Sequence, residues 1–176
     1  MYFGSFQQLS FVNTGFPPSK VPIRRKLGYE DMEIDTDLAI ETGRKDIVFF
    51  PPANDEDIYF CLEAKRLNAL ISGVRRSLAD EYVKEGMQRF IDGKYSRFVR
   101  HGGMLGYVLN GQVARAMRNV ETNMQVRARE LGMAVPGGFL PSRILPNDPS
   151  VKETHHSRGH DTTLFCIHHL FMKGGS

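Results

Sequence analysis

Gly43 to Asn68, GRKDIVFFPPANDEDIYFCLEAKRLN, is the stretch on which the fold turns. Two short apolar runs, Ile47 to Phe50 and Ile58 to Leu62, flank a segment rich in Pro, Asn and Asp, and that pattern predicts a β-hairpin. Asp46 opens the first run and Glu63-Ala64-Lys65 closes the second. Side chains alternate along a strand, so Cys61, Glu63 and Lys65 share one face while Leu62 and Ala64 share the other. Pairing Phe50 with Tyr59 and Val48 with Cys61 sets Asp46 opposite Glu63, with Cβ atoms about 5 Å apart.

Two carboxylates at that distance repel unless a positive group stands between them. A divalent cation is one answer. Mg²⁺ takes oxygen ligands, and Asp46, Glu63 and the carbonyl of Ala64 form a candidate set, with Mn²⁺ as a substitute. Lys65, one pleat along, would then orient an attacking water and stabilise charge in the transition state. The other answer is an ordinary hairpin whose end charges are solvated or ion-paired, with Lys65 against Asp46 or Glu63.

Asp46, a gap of sixteen residues, then Glu63-Ala64-Lys65 followed by Arg66-Leu67-Asn68 resembles the core of the PD-(D/E)xK nuclease superfamily. The resemblance implies a restriction-endonuclease-like core over roughly residues 40 to 131, Mg²⁺ held by Asp46 and Glu63, and Lys65 assisting water attack on a phosphodiester. Lys45 stands where the pattern's name has Pro. Such nucleases usually draw a further acid from upstream, for which Glu30, Glu33 and Glu41 are candidates.

Charge is segregated along the chain, although the formal net charge is only +3. From Glu30 to Asp57 ten acids face two bases, a balance of −8; from Lys65 to Arg129 thirteen Lys and Arg face five acids, a balance of +8. The first segment suits cations and the second suits polyanions. Arg66, Arg75, Arg76, Lys84 and Arg89 are the candidate contacts to a DNA backbone, and a solvated helix face is the plainer account of them.

With 176 residues, 41% hydrophobic, the chain is expected to form one domain, 1–176, with its own core. It has no run of eighteen apolar residues and no basic, apolar leader, so a cytoplasmic protein without membrane contact is expected. Residues 1–28 read as a basic, aromatic N-terminal arm and 133–161 as a long loop; a homo-oligomer or a partner domain would fit either. Cys61 and Cys166 lie in apolar runs and are expected as buried free thiols.

Further along, Leu67 to Ser72 reads as the start of a helix that Gly73 interrupts. A second helix follows, capped by Ser77 or Asp80, with Leu78, Tyr82, Met87, Phe90 and Ile91 three to five apart and a stop at Gly93. Met104 to Leu109 reads as a strand, with Gly102 and Gly103 giving it room beside the hairpin. Gln112 to Leu131 reads as a helix with Val113, Met117, Val120, Met124 and Leu131 on its apolar stripe. Thr162 to Met172 is apolar on both faces and is expected as an inner strand.

Five of the six histidines lie between His155 and His169. On a strand, His168 and His169 point to opposite faces and cannot both join one zinc site. Arg158 or one of these histidines is a candidate phosphate contact. The order of elements predicts an α/β fold, a mixed central sheet flanked by helices. The function expected is a Mg²⁺-dependent nuclease acting on DNA; the alternative is a catalytically inactive module on the same fold that binds nucleic acid or protein.

Overall fold

The computed structural model describes residues 47–50, 59–95, 99–134, 137–159 and 162–174, and the backbone of 24–27. Among these, seven strands form one mixed sheet in the order β1-β2-β3-β6-β9-β8-β7. The strands are β1 (Arg24–Leu27), β2 (Ile47–Phe50), β3 (Phe60–Leu67), β6 (His101–Val108), β7 (Leu140–Pro141), β8 (Val151–His156) and β9 (Phe165–Lys173). β3, β6 and β9 are mutually parallel at the centre, and antiparallel pairs complete each side.

The hairpin forms in the expected register, with Val48 level with Cys61 and Ile47 level with Leu62. β1 adds a strand beyond β2, pairing Leu27 with Ile47, so the basic arm ends in the sheet. Asp46 and the acidic stretch from Glu30 to Glu41 lie outside the described residues.

Leu67 to Ser72 does not start a helix. Ala69–Ile71 (β4) and Val74–Arg76 (β5) form a separate two-stranded hairpin. Its turn residues Ser72 and Gly73 both have left-handed backbone, at φ 48° and 77°, the conformation a two-residue hairpin turn of the primed type requires. Ile71 and Val74 on either side favour extended chain.

The next helical rod opens with α1 (Ala79–Tyr82), passes through a π-helical turn at Val83–Met87 and closes with α2 (Gln88–Ile91). The π turn accounts for the five-residue step from Tyr82 to Met87: one extra residue per turn keeps both, with Phe90, fully buried on one side. Neither Ser77 nor Asp80 caps the rod. Its N-cap is Leu78, at φ 55° and without a side-chain cap bond, while Asp80 lies in the first turn, where negative charge suits the helix dipole. Gly93, at φ 74°, stands just past its end.

α3 (Val113–Val126) buries Ala116, Val120 and Met124. Residues 127–132 continue as turns rather than α-helix. The chain steps from β3 to β6 to β9 in one direction across the sheet, and right-handed crossovers then put both helical connections on the same side. There Cys61, Leu67, Met104, Val108, Phe165, Ile167 and Phe171 meet Tyr82, Met87, Phe90, Val120 and Met124 in one core.

Space between the layers is tight. A Cβ on Gly86 would collide with the Met104 side chain and touch Lys65 Cε at 3.7 Å. Gly102 and Gly103 give room as expected: a Cβ on Gly103 would stand 2.7 Å from Leu62 and 2.8 Å from Phe60, both on β3.

The long loop expected over 133–161 contains β7 and β8. β8, VKETHH, carries no apolar alternation because Thr154 and His156 take the inward positions and are buried as polar groups. β9 is an inner strand, as its composition implies. No helix among the described residues is long and apolar enough to cross a membrane.

Candidate active site

β3 carries the candidate acid and base. Its pleat turns Cys61, Glu63, Lys65 and Leu67 toward the helices, where Cys61, Glu63 and Leu67 are buried. Glu63 is 2% exposed. Lys65 Nζ lies 2.7 Å from Glu63 Oε1, and the lysine side chain keeps 23% of its surface open to solvent. Glu63 and Lys65 therefore form a single ion pair under the π turn, with Lys65 as its solvent-facing member. The Lys65 to Glu63 pairing that an ordinary hairpin would give is present; Asp46, the other acid of the expected metal set, lies outside the described residues.

A second pair stands beside the first. Arg89 Nη1 donates to Tyr95 Oη at 2.7 Å and Arg89 Nη2 to Glu85 Oε2 at 3.2 Å. Burial works against the Arg89 charge, but the Tyr95 bond and the carboxylates of Glu63 and Glu85 raise its pKa. Burial also raises Tyr95, and the charge of Glu63 raises it further. Glu63, Lys65, Arg89 and Tyr95 thus form one electrostatic neighbourhood, and of the five candidate DNA contacts Arg89 is the one the fold brings to it.

The other four candidates are dispersed. Arg66 is exposed on the face of β3 opposite Glu63 and Lys65. Arg75 and Arg76 are exposed on the separate β4–β5 hairpin. Lys84, half exposed, pairs with Asp80 at 3.1 Å, and Asp80 also receives Arg127 at 2.9 Å. Arg158 does not reach solvent: it is 1% exposed, its guanidinium sits 4.1 Å above the Phe165 ring, and Nη2 donates to the Val99 carbonyl at 3.0 Å. Its role is to cover an aromatic ring and tie a loop.

A buried polar chain that the sequence does not announce lies on the same face. Tyr82 Oη is 2.9 Å from His169 Nδ1, Thr154 Oγ1 is 2.8 Å from His169 Nε2 and 2.7 Å from His156 Nε2, and His156 Nδ1 is 2.7 Å from the Leu131 carbonyl. A carbonyl only accepts, so His156 donates from Nδ1 and accepts at Nε2. Thr154 then gives its one proton to His156, His169 donates to Thr154 from Nε2, and Tyr82 donates to His169 Nδ1. Every atom in the chain is satisfied with both imidazoles neutral. Burial lowers His156 to about 4 and His169 well below its ordinary value.

The donor types on the two faces differ. The helix-covered face offers carboxylate oxygen at Glu63, and the opposite face gathers His101, Cys166 and His168, with Glu153 and His155 beside them. Comparison of the chain with protein-family models, curated proteins and solved structures gives no match.

Proposed function

We propose that this protein is a Mg²⁺-dependent nuclease hydrolysing phosphodiester bonds in DNA, with Asp46 and Glu63 holding the metal beside the Ala64 carbonyl and Lys65 acting on the attacking water. The observation that carries this reading is the buried Glu63 carboxylate paired with a partly exposed lysine on one face of an inner strand. Two features support it: the hairpin register, which pairs Ile47 with Leu62 and Val48 with Cys61 as the sequence reading expects, and the mixed sheet with helices that a restriction-endonuclease-like core implies.

Oxygen donors at a buried carboxylate suit Mg²⁺, or Mn²⁺ in its place, and do not suit softer ions. When bound, the ion supplies a lowered pKa to a coordinated water and neutralises phosphate charge. The protein's own part is positioning. Lys65 balances Glu63 in a site where an unpaired carboxylate would be costly, and as the solvent-facing member it is the group that meets a scissile phosphate. Arg89, held by Tyr95 and Glu85, adds a fixed cation nearby. Arg66, Arg75, Arg76 and Lys84 would serve backbone affinity without sequence choice.

A second reading is favoured by one observation, the 2% exposure of Glu63, which a purely structural ion pair would also produce. On that reading the fold binds nucleic acid or an acidic protein without chemistry. Incubation with supercoiled and linear DNA, with and without Mg²⁺ or Mn²⁺, separates the two. Metal-dependent cleavage is expected, reduced about 10²-fold or more in Glu63→Gln and in Lys65→Ala with circular dichroism unchanged. Cleavage at the wild-type rate by either folded variant refutes the nuclease reading.

A further inference from the structure

We propose that the face of the sheet opposite the described helices carries a zinc site built from His101, Cys166 and His168, separate from Glu63 and Lys65. The parallel register of β6 and β9 sets His101 level with Cys166 and Gly103 level with His168. Cys166 and His168, two residues apart on one strand, point to the same side. The absence of a side chain on Gly103 leaves the space beside His168 to Phe60 and Leu62.

The donor atoms stand at metal-site spacing. His101 Nδ1 is 3.1 Å from His168 Nε2, Cys166 Sγ is 3.7 Å from His168 Nε2, and the three atoms lie within 4.8 Å of one another. Zinc bonds of roughly 2.0–2.1 Å to nitrogen and 2.3 Å to sulfur, at tetrahedral angles, separate two nitrogens by about 3.3 Å and nitrogen from sulfur by about 3.6 Å. Little movement is needed. Without a cation, the single lone pair or proton of His168 Nε2 must serve both His101 and Cys166, and one nitrogen serves two such neighbours poorly.

Imidazole with thiolate is a borderline-soft set that suits zinc and rejects Mg²⁺. Access is from the His101 side, since His101 is exposed and His168 half-buried, whereas Cys166 is covered. Beyond the sulfur stand Glu153 and His155, each offering an atom within 4.8 Å of it and of the other. Glu153 is held by Arg143 Nε at 2.8 Å and by His155 Nε2 at 3.0 Å. Burial opposes its charge, yet these partners and the Arg143 amide keep its carboxyl below the usual range. The fourth zinc position is left for water, the arrangement of a site that keeps one position exchangeable.

Thiol chemistry supplies a specific signature. An ordinary cysteine is mostly protonated near neutral pH and zinc takes the thiolate, so ligation there has to displace a proton from sulfur. The test is calorimetric titration of the chelator-treated, reduced full chain with Zn²⁺ in two buffers of different ionisation enthalpy. One ion per chain and release of about one proton per ion are expected. His101→Ala and Cys166→Ser should each weaken binding at least tenfold, and Glu63→Gln should leave it unchanged. Absence of saturable binding, or equal binding by wild type, His101→Ala and Cys166→Ser, overturns the proposal. Because His101 is exposed, its variant is expected to fold even where the Cys166 variant does not. The readout is zinc affinity in the absence of DNA, so it stands whether or not the Glu63 site cleaves.

Discussion

The two faces of the central sheet hold histidines of the same strand in opposite circumstances. His169 lies under the helices in a hydrogen-bonded chain with Tyr82, Thr154 and His156 in which every donor finds one acceptor. His168, the preceding residue, stands on the open face against His101 and Cys166, where three donor atoms converge. One pleat separates an imidazole locked as a structural group from one available to a ligand. Burial alone does not explain the difference; what differs is whether the neighbours use up the lone pairs.

Acid should break this comparison most strongly. The covered histidines are neutral in the folded state with depressed pKa values, so below pH 6.5 the unfolded chain binds protons that the folded chain does not. Stability is therefore full above pH 6.5 and is lost as pH falls. For His156 the interval runs from 6.5 down to about 4, on the order of 3 kcal/mol, and His169 adds to it in the same direction. Chemical denaturation across this range should show stability rising with pH, and His156→Gln should flatten the slope. A slope unchanged by that substitution would sink the neutral-imidazole assignment.

A smaller effect is expected from cutting the chain at its middle. Thr154→Val keeps shape but leaves two buried imidazole nitrogens without partners, a cost of about 2–4 kcal/mol. On the open face and without metal, His101→Ala should change stability by less than about 0.5 kcal/mol. Urea midpoints of the two variants side by side measure the contrast; equal losses would mean that the open face holds the fold together as firmly as the covered one.

The smallest effect belongs to the solvent side of the helical layer. Lys84→Ala removes an exposed i,i+4 pair with Asp80, which Arg127 also holds, and should cost about 0.5 kcal/mol or less. A loss above about 1 kcal/mol by thermal unfolding would show that the Lys84–Asp80–Arg127 group works as a network tying the rod to α3.

What the sequence made legible follows the same physical divide. The β2–β3 register could be read from the alternation around Val48 and Cys61, because a one-residue slip would turn Glu63 and Lys65 to the other face. The α/β order, the inner position of β9 and the buried thiols followed from apolar runs. Tyr82 and Met87, five apart, signalled the π turn without naming it. β8 stayed hidden because its inward residues are Thr154 and His156, polar groups whose burial depends on partners far along the chain. β4 and β5 were missed by weighing Leu67 to Ser72 as a helix start when Ser72-Gly73 is a turn dipeptide.

For the candidate site, the shared face of Glu63 and Lys65 was legible, and so was the lysine's pairing with a nearby acid. The approach of Arg89 and Tyr95 to Glu63 was not, since it depends on how the helical rod docks. The His101, Cys166 and His168 group had no spacing signal. It exists because β6 and β9, far apart in the chain, run parallel in a particular register.

That inner place of β9 has a consequence during synthesis. Among the described strands the last to be made, Phe165–Lys173, is inserted between β6 and β8, so a chain leaving the ribosome presents β6 with one open edge while α3 and β8 are still being translated. His101–Val108, with three glycines and an apolar centre, is then the segment most exposed to wrong pairing. A nascent chain stalled before Phe165 should be the species that chaperones hold and that aggregates first.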